Sequence, residues 1–273
     1  MQIHAQAHAK INWSLNITGR RENGYHELDM LMQSIELCDD MTFADADSLT
    51  LTVDGAPADD SNLVLKAARA LNRLTGQNNG AAMTLQKRIP ARAGLGGGSA
   101  DCALTLKALN RLWGLNLTQA RLMDLGATLG ADVPFCLTGG LAHVTGIGER
   151  VSPLPASPRI PLVLVTPGGG LSTGEVFALW DRGGFPPVRL DNRALARTVM
   201  HKDLPAVQKL CANALTAPAI RLLPEIGALL NAFHAPAVFM TGSGSTVVAA
   251  WPDEARAQSA AERIPGAILT FTR

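Results

Sequence analysis

Pro90-Ala91-Arg92-Ala93-Gly94-Leu95-Gly96-Gly97-Gly98-Ser99-Ala100-Asp101 is the stretch on which the reading of the chain turns. Four of the five residues from Gly94 to Gly98 are glycine, a density that weakens a strand and is poor in a helix. It suits a loop whose backbone comes close to a ligand and whose amides point into a concavity. A strand is expected before it, over Ala82 to Gln86, and a helix after it, from about Ser99 to Leu112. The helix start adds free N–H groups and the positive end of a dipole. Loop and helix together make an anion cradle suited to a nucleotide's phosphates, with the Ser99 hydroxyl placed for a phosphate or a metal. The alternative is a glycine-rich surface turn, and the flanking strand and helix weigh against it. Other phosphate loops are excluded: the chain has no Gly-Lys dipeptide, and Ser99 stands where the third glycine of GxGxxG belongs.

Upstream, Ala7, Ala9, Ile11, Trp13, Leu15 and Ile17 alternate with His8, Lys10, Asn12, Ser14 and Asn16. This period-2 pattern predicts a strand with one apolar and one polar face, from which Lys10 and Asn12 project side by side. Lys10 could pair with an aspartate and with phosphate oxygens; alone, it reads better as a solvated edge-strand lysine. Asn23-Gly24 marks a tight turn, and Tyr25, the only tyrosine of the chain, stands beside His26. An aromatic face next to a hydrogen-bonding ring suits recognition of a base; a satisfied loop histidine is equally common. A second strand is expected over Met30 to Leu37. Ser61 is the expected cap of a helix from Asn62 to Leu74.

Downstream, Thr118 reads as the cap of a helix that Gly130 ends. Gly130-Ala131-Asp132-Val133-Pro134 follows. Phosphoryl transfer to an alcohol needs an oriented hydroxyl and often a carboxylate to take its proton; Asp132 is a candidate. From spacing alone it reads first as the N-cap of the next helix, with Pro134 early in that helix. Val151 to Pro158, rich in proline and serine, is read as a boundary between regions 1–152 and 159–273. Beyond it come a strand over Ile160 to Thr166, the loop Pro167 to Gly170, several helices, a strand at Val238, the loop Thr241-Gly242-Ser243-Gly244-Ser245, a strand from Val247, a helix capped by Asp253 and a last strand near Ile268. Helices and strands alternate without a strict βαβ rhythm, which favours an α+β class.

The whole composition is consistent with a well-buried globular protein. Of 273 residues 47% are hydrophobic, and the formal net charge is +1, so no global pull on nucleic acid or an anionic membrane is expected. Cys38, Cys102, Cys136 and Cys211 form no CxxC pair and are expected as buried reduced thiols. The N-terminus has no basic segment leading into an apolar run, so a cytoplasmic location is expected.

Pro-x-x-Ala-Gly-Leu-Gly-Gly-Gly-Ser at 90–99 resembles the phosphate loop of the GHMP kinases, a family that includes galactokinase, homoserine kinase and mevalonate kinase. Ala9-Lys10-Ile11-Asn12, Arg20-Arg21 with Gly24-Tyr25-His26, and Gly130 to Pro134 are similar, more narrowly, to the members acting on diphosphocytidyl-methylerythritol in the non-mevalonate isoprenoid pathway. Thr241-Gly242-Ser243-Gly244 resembles the family's third motif. The match runs nearly end to end. The resemblance implies a two-lobed α+β fold, with an N-terminal lobe like domain 2 of ribosomal protein S5 and a ferredoxin-like C-terminal lobe. It implies ATP as donor, Mg2+, a small-molecule substrate and transfer to the 2-hydroxyl of the methylerythritol moiety. It puts Asp132 as the base with Lys10 as its partner. Pro90, Ala91, Arg92, Ala93, Gly94, Leu95, Gly96, Gly97, Gly98, Ser99 and Ala100 fall on the phosphates, and Asn62, Leu63 and Lys87 near adenine. Tyr25 and Phe177 would lie on the two faces of the cytosine and His26 on its edge, with Asn12 and Thr173 near the substrate. Three positions depart from the pattern: Ala100 stands where many members have a second serine, Trp13 replaces a commoner leucine, and Met32 stands where some have an aromatic. A homoserine or mevalonate kinase, and a non-catalytic nucleotide-binding protein, are the rival readings. Gly24-Tyr25-His26 argues against the first, since those substrates carry no base; Lys10 with Asp132 argues against the second.

Overall fold

The computed structural model describes residues 1–186 and 188–273. In chain order the elements are β1 (Gln2–Arg20), β2 (His26–Ala46), β3 (Leu49–Val53), β4 (Ala56–Pro57), α1 (Leu63–Thr75), β5 (Gly80–Gln86), α2 (Gly97–Leu112), α3 (Gln119–Leu129), α4 (Val133–Thr138), β6 (Leu141–Gly146) and β7 (Arg150–Pro153). Then follow β8 (Pro161–Val165), α5 (Thr173–Gly183), α6 (Asn192–Met200), α7 (Leu204–Leu210), α8 (Thr216–Leu222), α9 (Glu225–Ala232), β9 (Ala237–Met240), β10 (Val247–Ala250), α10 (Glu254–Glu262) and β11 (Ile268–Phe271). The class is α+β, as the irregular alternation predicts. No described helix is long and apolar enough to cross a membrane.

The chain packs as two compact units, neither of them continuous in sequence. One comprises Met1–Ala9, Leu37–Ile89 and Gly96–Gly139; the other comprises Lys10–Glu36, Pro90–Leu95 and Gly140–Arg273. Long strands make this possible. β2 runs for 21 residues where the sequence predicts a strand ending at Leu37. Cys38-Asp39-Asp40 looks like a polar stop, but Asp39 is fully buried with partners of its own. The antiparallel ladder with β5 begins at Asp40↔Gln86 and continues to Ala46↔Gly80.

In the first unit, β3 pairs parallel with β5 and antiparallel with β4. Helices α1 and α2 bury Val64, Leu71, Leu106 and Leu109 in a core with Met41, Phe43 and Met83. Burial of side chains of this size contributes roughly 1.5–3 kcal/mol each. Asn62 caps α1, accepting from the Val64 amide at 2.9 Å. Ser61, the expected cap, lies one residue too early: its amide is held in an Asx turn by Asp59. Thr118 caps α3 and Gly130 closes it, as expected. In the second unit, β2 pairs with β6, and β6 with β7. A four-stranded antiparallel sheet has the order β11-β8-β10-β9. Every residue of β8 and of β10 is buried. Asp253 caps α10, also as expected.

Candidate functional site

β1 carries the first site residues, and there the alternating pattern misleads. Lys10 is 4% exposed, Asn12 1% and Ser14 0%, so the polar face of this strand is buried at its centre, with His8 and Asn16 half-buried at its ends. The reading of Lys10 as a solvated edge lysine is overturned. A buried ammonium is costly unless it is paired, and Lys10 Nζ donates to Asn12 Oδ1 at 2.7 Å. The Asn12 amide in turn donates to Thr241 Oγ1 at 2.8 Å. This fixes β1 against the loop Thr241–Ser245.

That loop also holds the first half of the glycine stretch, which belongs to the same unit. The Lys10 amide donates to Leu95 O at 3.0 Å, and the Thr246 amide to Ala93 O at 3.2 Å. Gly94 has φ +76°, and a Cβ built on it would lie 2.3 Å from the carbonyl oxygen of Thr241. Only glycine allows the two loops to approach so closely. A Cβ on Gly242 would in turn lie 3.3 Å from Lys10 Nζ, which places the ammonium beside the loop. Thr173 Oγ1 is 2.8 Å from Ser243 Oγ, so the start of α5 joins the same cluster. Lys10, Asn12, Ala93–Leu95, Thr173 and Thr241–Thr246 thus form one connected set.

Further along α5, Phe177 stacks on His26, with ring centroids 4.7 Å apart and planes at 21°. Trp180 meets His26 edge-on at 5.7 Å, and His26 Nε2 is 2.7 Å from Asp181 Oδ1. Phe177, Trp180 and Asp181 reach one ring because residues three and four apart share a helix face. Tyr25 stands on the turn before β2 and is 58% exposed. Asp181 and Trp180 escape the sequence reading. Their i+3 and i+4 spacing from Phe177 was the available signal.

The second half of the glycine stretch lies in the first unit. Gly96, at φ 70°, is the N-cap of α2, which begins at Gly97, two residues earlier than expected. A Cβ on Gly98 would touch Leu63 Cδ1 at 3.6 Å, and one on Gly97 would lie 3.4 Å from Lys87 Nζ. Leu63, Lys87 and the start of α2 are therefore neighbours, beside the cap Asn62. Ser99 lies near Gly130, its Oγ 3.7 Å from a Cβ built there. Ala100 is buried in the apolar core of this unit. Asp132 occupies the N-cap position of α4, with Pro134 in the first turn, but its side chain makes no cap hydrogen bond. Simple capping therefore does not account for this aspartate.

Lys87 Nζ is bound by Asp39 at 2.5 Å and Asp101 at 2.7 Å. Burial alone would lower the Lys87 pKa, and the charges of Asp101 and Asp39 outweigh it and raise it. Asp101 is raised to about 7: burial is the main cause, Lys87 opposes it and Asp39 adds to it. None of the four cysteines is in a disulfide; two are buried and two half-buried. Burial pushes the Cys102 thiol up to about 12. Trp13 is buried and tilts against Phe239 at 5.0 Å, and Met32 is fully buried.

The GHMP kinases N terminal domain family model matches residues 62–140, and the GHMP kinases C terminal model matches residues 193–267. Over 270 residues the chain is 41% identical to a 4-diphosphocytidyl-2-C-methyl-D-erythritol kinase of Pelotomaculum thermopropionicum, covering 96% of this chain and 94% of that protein. The chain belongs to the GHMP kinases, in the 4-diphosphocytidyl-2-C-methyl-D-erythritol kinase family. This GHMP kinase is also 41% identical, over 266 residues, to the protein of that name from Granulibacter bethesdensis, covering 92% and 87% of the two chains. A crystal structure of a 4-(cytidine 5'-diphospho)-2C-methyl-D-erythritol kinase superposes with a TM-score of 0.85 at 34% identity and covers 99% of both chains. A homoserine kinase from Cytophaga hutchinsonii, at 17% identity and a TM-score of 0.74, shares the fold.

Proposed function

We propose that this GHMP kinase transfers the γ-phosphoryl group of ATP to the 2-hydroxyl of 4-diphosphocytidyl-2-C-methyl-D-erythritol, giving the 2-phosphate and ADP, in the non-mevalonate route to isoprenoid precursors. One observation carries the reading. A buried lysine, Lys10, is held beside two glycine loops in a chain that matches kinases of this name from end to end.

The roles follow from chemistry. Phosphoryl transfer asks a protein chiefly for positioning and for charge stabilisation. The amides of Gly96 to Gly98 and the start of α2 receive the phosphates of ATP; Asn62, Leu63 and Lys87 border the adenosine end. Lys10 stabilises charge on the transferring group, and Asn12 fixes its ammonium. Asp132 takes the proton of the 2-hydroxyl as its oxygen attacks phosphorus. Thr173 and Asn12 orient the methylerythritol moiety, while Tyr25, Phe177 and the His26 ring take the cytosine. Among the described residues no three His, Cys, Asp or Glu side chains converge into a metal cage. Mg2+ keeps its waters and is bound largely through substrate phosphates, so it asks for no such cage. Bound with ATP, it would neutralise polyphosphate charge, with the Ser99 hydroxyl offered to it.

Incubation with ATP and the cytidyl substrate, followed by phosphorus NMR of the product, tests the reading. A new phosphomonoester on the tertiary 2-carbon is expected. A phosphate on any other hydroxyl, or no product, overturns the assignment.

A further inference from the structure

We propose that Asn213 is a positioning residue for phosphoryl transfer: its side-chain amide holds the loop Thr241–Ser245 where that loop keeps Lys10 in place. The inference rests on the reading of Lys10 as the group that stabilises charge on the transferring phosphoryl. Asn213 lies in the short segment between α7 and α8, far along the chain from Lys10. Its backbone is fastened first. The Leu15 amide donates to Ala212 O at 3.0 Å, and the Ala214 amide to Leu15 O at 2.8 Å. Asn213 therefore pairs with Leu15 as a parallel bridge, on the strand that carries Lys10 and Asn12.

The side chain then reaches the loop. Asn213 Nδ2 donates to Met240 O at 3.0 Å and to Gly242 O at 2.8 Å. The two hydrogens of one amide thus match two carbonyls, one on each side of Thr241. Both carbonyls belong to buried residues, and a buried carbonyl that loses its donor is costly. Asn213 Oδ1 accepts from the Leu215 amide at 2.9 Å, which decides which end of the side chain faces the loop.

What this clamp holds is the surroundings of Lys10. Thr241, between the two clamped carbonyls, accepts from the Asn12 amide through Oγ1 at 2.8 Å. Asn12 Oδ1 in turn accepts from Lys10 Nζ at 2.7 Å. Gly242, whose own carbonyl is clamped, is the residue on which a Cβ would lie 3.3 Å from Lys10 Nζ. Other bonds pin the far half of the loop: Ser243 meets Thr173, and the Thr246 amide donates to Ala93 O. The near half, Thr241 and Gly242, is the part that Asn213 grips. Asn213 and Met240 also line a cavity of about 420 Å³, so the loop has room to shift on that side once the amide's donors are lost. A shift there moves the ammonium away from the phosphoryl group it serves.

Steady-state kinetics of the full-length enzyme with ATP, Mg2+ and the cytidyl substrate test this, with Asn213→Asp and Asn213→Gln beside the wild type. Asn213→Asp keeps the size of the side chain and the acceptor for the Leu215 amide, and turns a second oxygen toward the two carbonyls. Its kcat should fall by roughly 10²-fold, the usual cost of misplacing a group by about 1 Å. KM for both substrates should stay within about threefold of wild type, the mark of an interaction that counts in the transition state. Asn213→Gln keeps both donors, and the cavity leaves space for one more methylene; its kcat should return to within about tenfold of wild type. A merely structural Asn213 would lower the melting temperature of both variants and leave kcat per folded molecule unchanged. A folded Asn213→Asp with kcat within about threefold of wild type overturns the proposal alone, and so does an Asn213→Gln no better than Asn213→Asp. If Asn213→Asp does not fold, Asn213→Ser, which offers one donor in place of two, is judged by the same kcat criterion. No turnover by the wild type overturns the functional reading and the proposal with it.

Discussion

Gly94→Ala puts the packing of the two glycine loops to a quantitative test. Gly94 has φ +76°, and its new Cβ would stand 2.3 Å from the carbonyl oxygen of Thr241 and 3.0 Å from that of Gly244. A left-handed conformation costs a residue with a Cβ roughly 1–2 kcal/mol. Relieving a contact of this kind by shifting packed backbone costs typically about 1–3 kcal/mol more. The loops cannot part freely, because the Thr246 amide is bonded to Ala93 O and the Thr241 amide to Thr246 O. The sum is roughly 2–5 kcal/mol, or a fall in Tm of about 5–15 °C for a chain of this size. Gly168→Ala is the control: the same change in chemistry on an exposed loop, with nothing within 4 Å of the new methyl group. Thermal melts followed by near-UV circular dichroism should show Gly168→Ala close to wild type and Gly94→Ala far below it. ATP turnover of the folded Gly94→Ala protein should fall too, since the same loops flank Lys10. Coincident melts for the two variants would refute the claim that the loops are locked together at Gly94.

Three further outcomes follow from the site. Asp132→Asn should leave ATP affinity nearly unchanged and cut turnover by roughly 10²–10⁴-fold, the contribution of a lost general base; turnover within a few-fold of wild type would remove Asp132 from that role. Tyr25→Ala should weaken the cytidyl substrate by roughly 1–3 kcal/mol, the contribution of one stacked base, and spare ATP; equal losses in the two KM values would make Tyr25 structural. Asp181→Asn should raise KM for the cytidyl substrate and leave KM for ATP alone, because Asp181 holds the His26 ring; unchanged kinetics with both substrates would show that the ring needs no such anchor.

Much of the architecture is legible in the sequence because local chemistry decides it. Thr118 and Asp253 act as caps, Gly130 ends its helix, and the glycine stretch falls between a strand and a helix. What fails does so for reasons of tertiary context. Alternation over residues 7–17 marks a strand but not the burial of both its faces, which depends on what packs over Lys10, Asn12 and Ser14. Asp39 looks like the end of a strand, and only its distant partners, Lys87 and the amides of Arg88 and Ile89, explain its burial. The cap of α1 falls on Asn62 and not Ser61, a choice between adjacent polar residues that the Asx turn of Asp59 settles. The structure sets Lys10 beside Asn12, as the period-2 pattern predicts, and stacks His26 on Phe177. Trp180 and Asp181 were marked only by their spacing from Phe177, and the ion cluster around Lys87, drawn from three separate segments, left no local signal.

The central claim, a kinase selective for a cytidyl diphosphate alcohol, is tested most directly by ADP release. The purified enzyme, ATP and Mg2+ would be combined in turn with 4-diphosphocytidyl-2-C-methyl-D-erythritol, homoserine and mevalonate, and kcat/KM measured for each acceptor. Saturable ADP formation with the cytidyl substrate, and only the background rate with the other two, is the predicted result. Comparable ADP formation with homoserine or mevalonate, or none above background with the cytidyl substrate, would contradict it.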